Sequence, residues 1–342
     1  MFLSNEQLKN LDQNGYVIVK NAIDPETTVD RVFNEYEFVL DKLCNELFAK
    51  GEISSTHDDL NFDERIMAVY QETNRSHVQY FDFSLPLQEI SEDTPMWHGP
   101  EVFRLLTNPD LLDVVESVIG PEIHSNPVQH IRIKVPNKSF DVNGNKEEPK
   151  KAGFNTSGAT AWHQDQGVGT KDLDDTNMLT IWIPLRETTE EMGCLKVVPG
   201  SHRKDELFEF CTADSNHGTG IPERFFEADQ MVPLPVDKGD LIVFNKKLVH
   251  GSLENESDQV RVSFDIRYNP IGEATGRKWF PGFNARSKND PDSVLTDPVK
   301  WAESWVEAKN TLIKAGTPDC LLYTSDAADE GLGVDLGGRR II

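Results

Sequence analysis

A chain of 342 residues with 37% hydrophobic residues, 9% aromatics and no long polar tract can bury a sizeable core, which excludes an intrinsically disordered protein. The formal charge of −24 argues against nucleic acid and anionic membrane as partners, since both need a basic face, although a pocket can still be locally basic. No stretch has the length of a transmembrane helix, the N-terminus lacks a basic-then-apolar leader, and the four cysteines form no CxxC, so an intracellular, by default cytoplasmic, location is expected.

In chain order, residues 1–120 read as mostly helical cover. Ser4 with Gln7 fits a capping box, and "NEQLKNLDQNG" stops at Gly15 before the short apolar strand "YVIV". Pro25 opens a second helical pattern that ends at Gly51, and "NPDLLDVVESVIGP" repeats the logic between Pro109 and Gly120. From residue 121 to 270 the texture changes to short β-branched and aromatic runs: "VQHIRIKV", "MLTIWIPL", "CLKVVPG", "DLIVFN", "KLVHGS" and "RVSFDIRYN". Many short strands punctuated by Gly, Pro, Asn and Asp predict a mainly β core of antiparallel or jelly-roll type. The polar, aperiodic segment 137–158 is expected to be a lid loop. "DPVKWAESWVEAKNTLIKAG" predicts a closing helix within C-terminal cover over 271–318. Residues 319–342, which include "VDLGGRRII", resemble the translation of a sequencing adapter and are expected to be a non-native or disordered tail. A native C-terminal address, such as a peroxisomal signal, would then be hidden.

His163 and Asp165 stand two apart in "TAWHQDQGVGTKD". With 9 His and 58 acidic residues, about one or two such His-x-acid coincidences are expected, and His57-Asp58-Asp59 is a second. Alone, the pair reads as two hydrogen-bonded polar side chains. A mononuclear iron site needs two histidines and one carboxylate on one side, and residues two apart on a strand end point to the same side. A third ligand from a distant strand is offered by His250 in "KLVHGS", and eleven residues beyond it Arg261 opens a strand whose Arg261, Ser263, Asp265 and Arg267 share one face. His57, in the acidic segment "STHDDLNFDE", has no partner strand and reads as surface.

The set "HQD" at 163–165, the tryptophan of "TIWIPL", "EEMGCLKVVPGSH", and "VHGS" followed by "RVS" resembles the phytanoyl-CoA dioxygenase family of Fe(II)- and 2-oxoglutarate-dependent oxygenases over roughly residues 5–315. The resemblance implies a double-stranded β-helix (jelly roll, cupin-like) core flanked by N-terminal and C-terminal helices, one dioxygenase domain over 1–318. It implies iron on His163, Asp165 and His250, and 2-oxoglutarate held by Arg261, Ser252 and Trp182, with Ser263 as a further hydroxyl donor. Fe(II), 2-oxoglutarate and O2 would then oxidise a small-molecule substrate with release of succinate and CO2, hydroxylation being the commonest outcome. Asp165 occupies the position that the related halogenases open for a halide.

His130, Arg132 and Lys134 alternate along "VQHIRIKV" and hint, with Arg267, at an anionic substrate; a solvated sheet face or edge is the plainer reading. Arg267 is equally open to pairing with Asp265 or solvent. The alternatives are oxidative cyclisation or desaturation in natural-product metabolism, which use the same residues, and a non-redox cupin-like metal or binding protein. Arg261 separates the last, since a non-redox site has no need of a carboxylate clamp. Substrate identity and oligomeric state are not readable.

Overall fold

The computed structural model describes residues 1–86, 90–137, 159–204, 207–208, 211–212 and 219–316. The segment read as a lid, except Asn137, and the tail from 317 onward lie outside the described residues. The N-terminal cover contains α1 (Asn5–Asn14), α2 (Asp30–Ala49), α3 (Phe62–Thr73), α4 (Val78–Phe81), α5 (Pro100–Leu106) and α6 (Pro109–Ile119). Ser4 and Gln7 form the expected capping box on α1, which Gly15 ends in the left-handed conformation. The helix α7 (Pro298–Ala315) closes the fold.

Six strands build the larger sheet: β1 (Tyr16–Val19), β2 (Ile123–Lys134), β3 (Leu179–Pro184), β8 (Leu241–Asn245), β10 (Arg261–Pro270) and β11 (Phe283–Arg286). Their order is β1-β8-β3-β10-β2-β11, and every pairing is antiparallel. A smaller sheet has the order β7-β4-β9, from β4 (Leu195–Val197), β7 (Val232–Leu234) and β9 (His250–Ser252). A two-stranded ribbon joins β5 (Cys211–Thr212) to β6 (Thr219–Gly220).

Period-two alternation divides the larger sheet cleanly into two faces. One face presents Val17, Ile131, Ile133, Ile181, Ile183, Val243, Val262, Phe264 and Ile266 to the helices, within a core that runs from Leu3 to Leu312. Phe264 is gripped by Tyr36 of α2 at 5.8 Å and Phe83 at 5.0 Å between ring centroids, both edge-on. Trp301 of α7 packs behind them, edge-on to His98 and tilted against Phe83 and Phe103. The opposite face carries Thr180, Trp182, Arg261, Ser263, Asp265 and Arg267, aligned by register with His130, Arg132 and Lys134. It looks toward the smaller sheet.

The β10–β2 register breaks between Asp265 and Arg267. Asp265 pairs with His130, but Arg267 pairs with Asn126, so three residues of β2, 127–129, face one residue of β10. Pro127 has no N–H to donate, which suits a bulge, and the bulge turns the Val128 carbonyl toward Arg267.

Truncating Trp301 to Ala removes a fully buried indole far from the polar face. The Trp301→Ala protein should lose about 3–5 kcal/mol in urea unfolding while its folded form keeps native metal affinity.

Candidate metal and co-substrate site

His163 and Asp165 do not sit on a regular strand. His163 forms an isolated antiparallel bridge to His250, with N–H to carbonyl bonds of 2.8 and 3.0 Å in the two directions, and Asp165 starts a 3-10 turn over Asp165–Val168. The shared side therefore comes from one bridge and one tight turn, not from strand alternation. A polar, glycine-containing stretch cannot sustain a strand, and Gln166 N–H is already donating to the Lys246 carbonyl.

The next turn of chain is clasped in place. Lys246 Nζ donates to the carbonyls of Leu173, Asp174 and Thr176 at 2.7, 2.8 and 2.7 Å. Leu173 fills the space left by Gly276, whose φ of +72° favours glycine and where a Cβ would meet the leucine Cγ at 2.5 Å.

One donor atom from each of His163, Asp165 and His250 falls within a common span of 4.8 Å. Each histidine Nε2 is 3.8 Å from Asp165 Oδ1. Both Nδ1–H groups donate to backbone carbonyls, His163 to Ala161 at 2.9 Å and His250 to Leu248 at 3.0 Å, which leaves both Nε2 lone pairs for a metal. Burial first, then His250 nearby, pushes His163 down to about 3, so it is a neutral imidazole at physiological pH.

Asp165 is fully buried and its partner is Arg267. Nη2 donates to Oδ1 at 2.7 Å and Nε to Oδ2 at 3.1 Å, a fork on a carboxylate, while Nη1 holds the Val128 carbonyl at 3.0 Å. Thr180 Oγ1 donates a further hydrogen bond to Oδ2. Burial opposes ionisation of Asp165, yet Arg267 and the two imidazoles hold its pKa well below the usual carboxylate range. Arg267 thus corrects the sequence reading: it is 4% exposed and bound to the ligand carboxylate, not turned toward substrate, Asp265 or solvent.

Arg261, Trp182 and Ser263 stand at the other end of this face, and Ser252, on β9 of the smaller sheet, meets the face through Lys134. The Arg261 guanidinium lies over the Trp182 ring at 5.5 Å and Nη1 donates to the Gly193 carbonyl at 2.9 Å. Gly193 has φ +76° and a Cβ there would meet the Leu253 carbonyl oxygen at 2.6 Å, which accounts for the glycine in "EEMGCLKV". Arg261 Nε and Ser263 Oγ are both buried with no hydrogen-bond partner. Two orphaned donors side by side call for an anionic acceptor. Burial lowers Arg261 to about 10, so it stays charged.

His130, Arg132 and Lys134 do not line a solvated face. His130 Nδ1 meets Asp82 Oδ2 at 2.8 Å and Arg132 Nε donates to Asp265 Oδ2 at 2.7 Å, so internal carboxylates already balance both. Lys134, 3% exposed, donates to Ser252 Oγ at 2.6 Å and the Leu253 carbonyl at 2.8 Å. Ser252 Oγ in turn donates to Thr160 Oγ1. His57 lies away from the site, paired with Glu72. Sequence reasoning missed Thr180, Asp82 and Lys246; Thr180 was signalled only by its place two residues before Trp182 on one strand face.

The family profile described as Phytanoyl-CoA dioxygenase (PhyH) matches residues 11–263. Phytanoyl-CoA dioxygenase domain-containing protein 1 of Mus musculus is 32% identical over 109 residues, 31% of this chain and 36% of that protein, so the match spans little more than a third of that relative's length. The 1-deoxypentalenic acid 11-beta-hydroxylase of Streptomyces exfoliatus is 25% identical over 295 residues, 83% of this chain and 88% of that one. A solved structure described as a non-heme monooxygenase, ThoJ apo, aligns with a TM-score of 0.57 at 17% identity, covering 90% of this chain and 97% of that chain, a likeness of fold.

The Asp165–Arg267 pair has a consequence for stability that is measurable on metal-free protein. Asp165→Asn strands a buried guanidinium and should destabilise the metal-free protein by about 3–5 kcal/mol in guanidinium chloride unfolding. Adding Arg267→Met should recover part of the loss. Equal stability of native and Asp165→Asn proteins would contradict the pairing.

Proposed function

Because the chain belongs to the phytanoyl-CoA dioxygenase family, we propose that it is a non-haem Fe(II)- and 2-oxoglutarate-dependent dioxygenase that hydroxylates a small molecule and releases succinate and CO2. The observation that carries this reading is that a His163–Asp165–His250 donor set, tied to the polar face of the larger sheet through the Asp165–Arg267 pair, meets two orphaned donors on that face, Arg261 and Ser263. The donor set fits iron, since two neutral imidazoles and one carboxylate on one side leave the opposite positions open. The orphaned donors fit the far carboxylate of a 2-oxo acid whose keto-acid end reaches the metal.

His163, Asp165 and His250 would hold the iron, with Arg267 and Thr180 fixing the carboxylate so that it meets the metal without rotating. Arg261 would clamp the distal carboxylate, with Ser263 and Ser252 adding hydroxyls and Trp182 forming a dry floor beneath the guanidinium. When bound, iron, 2-oxoglutarate and O2 supply an oxidant, made by oxidative decarboxylation, that takes a hydrogen from an unactivated C–H bond. Leu195, Val197, Ile242 and Phe244 pack around Trp182 and keep water from this end of the cavity.

A non-redox metal protein is the weaker reading, because it leaves the Arg261 seat without a purpose. The Arg132–Asp265 ion pair and the contact of His130 with Asp82 weaken the sequence argument for a strongly anionic substrate and support a neutral or mixed one. The acidic surface supports a partner set without nucleic acid or anionic membrane, and no helix among the described residues is long and apolar enough to cross a membrane. The sparse cysteines, with Cys44 and Cys194 free and buried, support a reducing compartment inside the cell.

Anaerobic titration with Fe(II) and 2-oxoglutarate should give a visible metal-to-ligand charge-transfer band that is lost in Asp165→Ala and weakened in Arg261→Ala. A well-folded, iron-loaded native protein without that band would overturn the proposal. Where the band is present, succinate release provides the screen for substrates.

A further inference from the structure

The charges on the polar sheet face do not cancel evenly. Arg132 is matched by Asp265 and Arg267 by Asp165, while Asp82 Oδ2 lies 2.8 Å from His130 Nδ1. Arg261 and Lys134, directly opposed across β10 and β2, make no ion pair among the described residues, although both are almost wholly buried. Two uncompensated buried cations side by side are strongly unfavourable.

Lys134 is the one that can yield, because an ammonium can release its proton and a guanidinium cannot. Its two hydrogen bonds, to Ser252 Oγ and the Leu253 carbonyl, leave one of the three N–H positions of the ammonium uncommitted. Burial first, then Arg261 and Lys196, lower its pKa well below the ordinary lysine value. Among the described residues, the charged and titratable groups around it include Arg261 on β10, Arg132 on its own strand, Lys196 on β4, Cys194 just before β4 and Glu254 beyond β9. Of these only Glu254 favours the charged amine, and Asn137 Nδ2 donates to it at 2.9 Å.

We propose that Lys134 is a proton-coupled second cation of the co-substrate seat: neutral when the seat is empty, it takes a proton from solvent as the distal carboxylate docks on Arg261 and Ser263. The inference rests on the co-substrate reading above and adds a binding residue to it. Ser252 is the link, since its hydroxyl accepts from Lys134 Nζ while lying beside the carboxylate seat. The seat would then hold one net positive charge when empty and two when filled by an anion, so selection among 2-oxo acids rests on charge at the far end. Because binding takes up a proton, affinity should fall as pH rises through the interval between the pKa of the empty and the filled state.

The test is isothermal titration calorimetry of anaerobic, Fe(II)-loaded protein with 2-oxoglutarate, in two neutral buffers of different ionisation enthalpy. The native protein should take up about one proton per site. Lys134→Met should take up none and bind about tenfold more weakly or worse, and Lys134→Gln, which keeps a donor to Ser252, should likewise take up none. Pyruvate, which has the chelating end without the far carboxylate, should bind native protein and both variants alike and without proton uptake. Native binding of 2-oxoglutarate without proton uptake, unchanged affinity in both variants, or an equal loss for pyruvate overturns the role of Lys134 while leaving the co-substrate reading standing. Absence of any 2-oxoglutarate binding to native protein overturns both.

Discussion

Asp165 and Arg267 bring opposite charges into a region closed to water, where neither is tolerable alone. Their pairing spans the two halves of the site: Asp165 follows the bridge that ties residue 163 to the smaller sheet, and Arg267 stands on the larger one. The nearby irregularities serve that pair. The bulge at residues 127–129 supplies a carbonyl for the remaining guanidinium edge, and Thr180 supplies a hydroxyl for the second carboxylate oxygen. The Lys246 clasp keeps the chain beyond the carboxylate from swinging open. A carboxylate so constrained would meet a metal with its orientation already fixed, and little further ordering would accompany binding.

The larger sheet separates folding from chemistry by parity. Alternate residues of β10 pack against α2 and α7 or face the site, so Phe264 holds the helices while Ser263 and Asp265 define the cavity. A strongly acidic protein can therefore carry a cationic seat, because net charge describes the surface and the seat is set by three strands. Arg261 and Lys134 lie across from each other two residues along from the orphaned hydroxyl of Ser263, where an incoming carboxylate would supply the missing acceptor.

Much of this was legible in the sequence. Local signals placed α1, α6, α7 and the β-core strands, because caps, turn residues and hydrophobic period act over a few residues. The candidate ligands His163, Asp165 and His250 were legible as a spacing pattern, and the structure draws them together for a different reason than strand alternation. Arg267 was misread because its partner is 102 positions away in sequence, and no local rule pairs residues at that range. The fate of Lys134 was equally hidden: alternation put it on the right face, but its neighbours Ser252 and Arg261 are fixed only by sheet order.

That sheet order also bears on how the chain comes to be folded. Among the described residues β1, at residues 16–19, pairs with β8, at 241–245, and with no other strand, so it has no partner until more than 200 further residues have left the ribosome. The helices that follow β1 can nucleate locally, yet their apolar faces await a sheet whose central strand, β10, is among the last to emerge. The loop-closure entropy of such distant pairings makes the final step slow. During synthesis the N-terminal half is thus a client for whatever shields apolar helices and a bare strand edge in the cell, and iron can be loaded only after that wait is over.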